Sequence, residues 1–190
     1  VPESRLIVGI SGASGVRLGV RLLEYLRTRD DLESHLVISK AAERTILLET
    51  DYAIDAVYEL ADVHYPVKDI GAAIASGSFC TKGMIIAPTS IRTMSEIATG
   101  VTTSLLTRAA DVTLKERRPL VLMLRESPLH LGHIRSMAAV TEMGAIVAPP
   151  VPAFYTRPAS IEEILDNIIG RALDLVGIDN DLAFRWRESD

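Results

Sequence analysis

Residues 119–124, PLVLML, form a six-residue run with no polar side chain on either face. Successive strand residues point to opposite faces, so this run must be covered both above and below. A parallel sheet lying between two layers of helices meets that demand. The flanks add a second constraint. Five cations (Arg108, Lys115, Arg117, Arg118 and Arg125) fall within 18 residues, in a chain whose net charge is −5. Residues 108–115 read as helix. Arg125 and Glu126 follow the strand at its carboxyl end, where open α/β sheets bind ligands. Charge set against buried structure usually has an anionic partner, and phosphate is the first candidate.

The same alternation runs along the whole chain. Strands are predicted over residues 5–10, 35–38, 84–87, 119–124 and 145–148. Helices are predicted over 16–27, 41–50, 131–142 and from Ser160, where Ser160-Ile-Glu-Glu163 makes a capping box. A further helix begins after Pro88-Thr89-Ser90, and Thr102 or Thr103 is expected to cap the helix bearing Arg108. Residues 52–82 suggest short helices and a Ser-Gly-Ser turn at 76–78. Residues 149–158, PPVPAFYTRP, form a stiff loop with two aromatics, long enough to suggest a functional role. The βαβ rhythm predicts an α/β fold with a doubly wound, mainly parallel sheet of flavodoxin or Rossmann type, in one domain over residues 1–190.

Composition narrows the function. Hydrophobic residues are 48% of 190, and the mean hydropathy is +0.23. That surplus is expected to be buried between subunits. The acidic balance argues against a nucleic-acid platform. No apolar run approaches about 18 residues and nothing reads as a signal peptide, so no membrane span is expected. The single cysteine, Cys80, fits a reducing cytoplasm and is expected to be small and buried.

Gly9-Ile10-Ser11-Gly12-Ala13-Ser14-Gly15 joins strand to helix, where backbone N–H groups and the helix dipole favour an anion. It lacks the dinucleotide, P-loop and nucleophile-elbow patterns. A mononucleotide or phosphate site is preferred to a tight turn without a ligand. On a helix Arg108 and Lys115 differ by only about 20° and lie about 10 Å apart along the axis. With Asp111 between them they make either a phosphate grip or a surface salt-bridge ladder. Arg125 and Glu126 should point apart, one holding a ligand and the other handling a proton, unless they form an ordinary ion pair. Arg171, at the edge of an apolar helix face, either snorkels or joins Tyr155 on an anion. His130-x-x-His133 has metal-like spacing without an evident third ligand. Glu49 would ordinarily be a solvated carboxylate.

Taken together, LIVGISGASG at 6–15, SKAA at 39–42, LETD at 48–51, SGSF at 76–79, RAADVTLKERRPLVL at 108–122, RESPLHLGH at 125–133 and PPVPAFYTRP at 149–158 resemble the flavin prenyltransferases of UbiX/Pad type. The resemblance covers nearly the whole chain. It implies a flavodoxin-like homododecamer with active sites where subunits meet. It also implies metal-independent transfer of a dimethylallyl group from dimethylallyl phosphate to N5, then C6, of reduced FMN. The product, prenylated FMN, would serve UbiD-type decarboxylases in ubiquinone synthesis or aromatic-acid decarboxylation.

Carried over motif by motif, Gly12, Ala13, Ser14, Ser39, Ser90, Ile91, Arg92, Thr93 and Arg125 would hold FMN. Tyr155, Arg171, Lys115 and Arg108 would grip the dimethylallyl phosphate. Glu126 would manage its protons, Glu49 would sit at the reacting flavin edge, and Ser14 would touch both ligands. Three positions depart from the family pattern: Leu18 after Arg17 where an aromatic is frequent, Thr89 where Cys is frequent, and Ser104. A flavin-dependent cysteine decarboxylase would need a catalytic His and a Pro-x-Met-Asn signature, neither of which is found. An FMN-binding electron carrier would not need the additional cations.

Overall fold

The structure, a computed structural model, describes residues 4–186. Six strands form one sheet in the order β3-β2-β1-β4-β5-β6, and each neighbouring pair is parallel. They are β1 (Ser4–Ile10), β2 (Leu32–Ile38), β3 (Val63–Tyr65), β4 (Gly83–Thr89), β5 (Leu120–Leu124) and β6 (Ile146–Val147). The helices are α1 (Arg17–Leu26), α2 (Lys40–Glu49), α3 (Ile54–Tyr58), α4 (Ile91–Ala98), α5 (Leu105–Lys115), α6 (Leu131–Glu142) and α7 (Ile161–Leu175).

The apolar run on β5 behaves as its composition requires. Val121 and Met123 enter a core shared with α1 and α7, while Leu120, Leu122 and Leu124 enter a second core with α4, α5 and α6. The same alternation divides β4, with Ile85 and Ala87 on one side and Met84 and Ile86 on the other. Burial of both faces accounts for the absence of polar residues in these strands.

Several expectations need correction. β2 begins three residues before His35, because the polar positions Glu33 and Ser34 have partners: Ser34 N–H and Oγ donate to Asp62 Oδ2 at 2.7 and 2.8 Å. β3 was not anticipated; at the sheet edge its three residues, Val-His-Tyr, have no apolar alternation to mark them. Ser104, rather than Thr102 or Thr103, caps α5 by accepting from Thr107 N–H. Thr103 instead donates to Glu96. Cys80 is exposed, not buried, because it follows the Ser-Gly-Ser turn on the surface. Ser160 does cap α7, but Glu163 accepts from the N–H of Ala159, one residue before the cap.

His35 is 2% exposed and lies between two partners. Its Nε2 bonds Glu33 Oε1 at 2.7 Å and its Nδ1 bonds the Tyr65 hydroxyl at 2.9 Å. Burial pushes the imidazole below its ordinary pKa, against the opposing pull of Glu33. Burial likewise raises the Tyr65 hydroxyl, which stays a donor. The ring is therefore neutral, donating to Glu33 and accepting from Tyr65. The unfolded chain takes up this proton first as pH falls, so folding stability should drop from about pH 6.5 downward through the depressed folded value. Urea midpoints at pH 7.5 and 5 are expected to show this loss, and His35→Gln should flatten the slope; an equal slope would remove His35 as its source.

Candidate active site

Strand order reverses between β1 and β4, and the loops leaving their carboxyl ends define a crevice there. One hydroxyl joins the two loops. Ser11 Oγ donates to the Pro88 carbonyl at 2.9 Å and accepts from Ser90 N–H at 2.7 Å. Beside this floor, Gly12 packs against the first turn of α2, where an added Cβ would stand 2.3 Å from Ala41 Cβ.

The adjoining cleft, about 510 Å³, is lined by Gly12, Ser39, Ser90, Ile91, Arg92, Thr93 and Glu126 among others. Two helices begin on it. Ser39 caps α2 by accepting from Ala42 N–H at 3.1 Å, and Ser90 caps α4 by accepting from Thr93 N–H at 3.2 Å. Helix N-termini carry partial positive charge, so two of them plus Arg92, 84% exposed and paired to Glu96, suit a ligand bearing phosphate.

The glycine turn itself holds a different anion. Glu49, at the last residue of α2, accepts from Gly15 N–H at 2.8 Å and Val16 N–H at 3.3 Å. No side chain of α1 caps that helix, so Glu49 serves there from 34 residues away. Ser14 is exposed beside it. The charge expected of a ligand at these two amides is supplied by the protein's own carboxylate. Phosphate is therefore better accommodated at the starts of α2 and α4.

At the end of β5, Arg125 N–H donates to the Thr89 carbonyl at 3.0 Å. The Arg125 side chain passes over the glycine turn, its Cγ 4.0 Å from where a Cβ on Gly15 would lie. Glu126 lines the cleft, its Oε1 accepting from Ser127 N–H at 3.0 Å.

The other candidates do not line this cleft. Lys115 and Asp111 border a neighbouring cleft of about 500 Å³ along α5, sharing Glu96 and Thr107 with the first. Arg108 donates to Asp111 at 2.6 Å. Lys115 pairs with Glu116, and this contact holds the Glu116 carboxyl below its usual range. Tyr155 and Arg171 lie across the sheet in a cavity of about 150 Å³ with Met123 and Ile168. Tyr155 meets Phe184 and Trp186 edge to face, at 5.9 and 5.4 Å between centroids. Sequence reading missed both aromatics; Trp186, the only tryptophan in the chain, was the available signal.

The His-x-x-His pair has a structural explanation. His130 caps α6, its Nδ1 accepting from Gly132 N–H at 3.0 Å and His133 N–H at 3.4 Å. Among the described residues no group of three or more His, Cys, Asp or Glu is placed to hold a metal ion.

Residues 1–173 match the Flavoprotein family. The chain is 55% identical over 185 residues to the flavin prenyltransferase UbiX of Escherichia coli strain K12, covering 96% of this chain and 98% of that protein. Among solved structures, AnUbiX (PadA1) in complex with FMN and dimethylallyl pyrophosphate matches with a TM-score of 0.94 at 46% identity, over 97% of this chain and 98% of that one. A dodecameric FMN-dependent UbiX-like decarboxylase from Escherichia coli O157:H7 matches with a TM-score of 0.93 at 46% identity, over 96% and 99%. With this sheet order and crevice, and with identity at that level along nearly its full length, the chain belongs to the Flavoprotein family and, within it, to the UbiX flavin prenyltransferases.

Proposed function

We propose that this protein transfers a dimethylallyl group from dimethylallyl phosphate to N5 and C6 of reduced FMN, and that UbiD-type decarboxylases use the prenylated FMN. The observation that carries this reading is a phosphate-suited cleft together with cationic groups in two further cavities, more than a flavin alone would need. The similar AnUbiX structure, described in complex with FMN and dimethylallyl pyrophosphate, supports it.

The residues present fit FMN. Gly12 brings the backbone close to α2, and Ser39, Ser90, Arg92 and Thr93 offer donors at two helix starts. Ala13, Ser14, Ile91 and Arg125 complete the proposed set around the crevice. Reduced FMN, when bound, supplies the electron-rich edge that accepts the allyl carbon.

The protein's part is to make phosphate a good leaving group and to keep water out. Breaking the allylic C–O bond leaves the electron pair on phosphate, so Arg108, Lys115 and Arg171 would neutralise developing charge there, with the Tyr155 hydroxyl as a further donor. Glu126 would exchange a proton with the departing phosphate. Glu49, fixed by two amides at the glycine turn, would hold its carboxylate at the reacting flavin edge. The apolar side chains around Tyr155 would shelter the allyl fragment from water.

Because these groups border separate cavities within one chain, the complete site would draw on neighbouring copies, as in the dodecameric relative. Exposed Leu47, Leu48, Leu131, Ile134 and Phe154 supply apolar surface for such contacts. We place the enzyme in the cytoplasm. Among the described residues no helix is long and apolar enough to cross a membrane.

Incubated anaerobically with reduced FMN and dimethylallyl phosphate, the protein should yield flavin heavier by one C5 unit, with release of phosphate. Unchanged flavin mass would overturn the proposal and favour an electron carrier.

A further inference from the structure

The cavity holding Tyr155 and Arg171 is backed by an ion cluster of which the mechanism above uses Arg171 alone. Asp174 lies one turn beyond Arg171 on α7, and its carboxylate receives four N–H groups. Oδ2 accepts from Arg171 Nη1 and from Arg185 Nη1, each at 2.7 Å. Oδ1 accepts from Arg185 Nη2 at 2.9 Å and from Asn180 Nδ2 at 3.0 Å. The two arginines are not equivalent. Arg185 grips both oxygens as a fork and is 35% exposed, whereas Arg171 makes one such bond and is 61% exposed. Bidentate pairing makes Arg185 the firmer partner.

The segment bearing Arg185 is itself tied to α7. Asn180 donates to the Gly170 carbonyl at 3.0 Å and accepts from the N–H groups of Leu182 and Ala183 at 3.1 Å. Phe184 N–H donates to Asn167 Oδ1 at 2.9 Å. Gly170 permits this approach, since a Cβ there would stand 2.5 Å from Ala183 N.

We infer that Arg185 is a positioning residue for Arg171: it neutralises Asp174, so that Arg171 can turn to the donor's phosphate without leaving a bare carboxylate behind. This rests on the reading of Arg171 as a phosphate ligand. Phosphate and Asp174 compete for one guanidinium. With a single counter-ion, moving Arg171 would unpair a partly buried carboxylate next to an incoming anion, and both changes are unfavourable. With Arg185 in place, the two arginines and one carboxylate carry one net positive charge in either arrangement. Burial raises the Asp174 carboxyl, but hydrogen bonding and charge from Arg185, then the charge of Arg171, outweigh it, and the group stays ionised.

The test is steady-state prenylation at saturating reduced FMN with dimethylallyl phosphate varied. Arg185→Met is expected to raise KM for the donor about tenfold while kcat stays within about twofold. Adding Asp174→Asn should bring KM back to within about threefold of the parent, because the competing charge is gone. A purely structural clasp would be damaged further by the second change, not repaired. Emission from Trp186 follows the segment in each variant, and the KM reversal is expected whether or not it shifts. An unchanged KM in Arg185→Met, or no recovery in the double variant, overturns the inference. Should Arg185→Met fail to fold, Arg185→Gln removes the charge while keeping N–H donors for Asp174; a rise in KM supports the inference and no rise overturns it. Arg171→Met separates the two claims. If it leaves KM unmoved, phosphate binds elsewhere and both fall. If it raises KM while the Arg185 variants do not, only the inference falls.

Discussion

Gly12→Ala is expected to weaken FMN binding by about 10- to 100-fold and to destabilise the fold by about 1–3 kcal/mol. The new methyl group would stand 2.3 Å from Ala41 Cβ and 3.1 Å from the Ala41 carbonyl carbon. Neither atom belongs to a flexible side-chain end, so the first turn of α2 must shift. That turn carries Ser39, one of the two caps facing the proposed phosphate seat. Flavin fluorescence titration and a denaturant midpoint would measure the two effects. Combining Gly12→Ala with Ala41→Gly removes the nearest contact and should recover most of both. Full-strength FMN binding in the single variant would mean that this cleft is not the flavin's seat.

Lys115→Ala should act on a different quantity. Prenyl transfer is expected to slow by about 100- to 1000-fold, the usual range for losing one group that stabilises transition-state charge. FMN affinity should change by less than about twofold, because Lys115 borders the α5 cleft and not the one containing Gly12. Folding should change little, since the Lys115–Glu116 pair is exposed. Lys115→Arg would retain charge but reshape it, and should fall between the two. Single-turnover flavin spectra would separate chemistry from binding. An undiminished rate would remove Lys115 from the reaction.

How far the sequence could be read depended on the distance over which each feature is set. The strand 120–124 was legible because burial on both faces leaves its mark in five consecutive residues. The start of α4 was legible in Pro88-Thr89-Ser90, where the cap is local, whereas Ser39, which caps α2, entered through family resemblance alone. Glu49 was not legible, because its partners Gly15 and Val16 are reached only once the fold brings the end of α2 to the glycine turn. Its place at the flavin came from family resemblance alone. β3 escaped notice because a three-residue edge strand needs neither alternation nor apolar content. The Asp174 cluster was invisible for a similar reason: Arg171 and Asp174 look like an ordinary helical pair until the chain beyond α7 folds back to bring Arg185 to the same carboxylate. Separation of Tyr155 and Arg171 from the flavin cleft could not be read either, since motifs record membership in a site and not the cavity in which each residue comes to lie.

Ser11 has a further consequence. The hydroxyl and the N–H of Ser11 both fasten the exit of β1 to that of β4, so the flanking helix starts inherit their spacing from one residue. The nucleotide's berth would thus be laid down during folding rather than moulded on arrival, leaving docking to demand little rearrangement of the backbone beneath it.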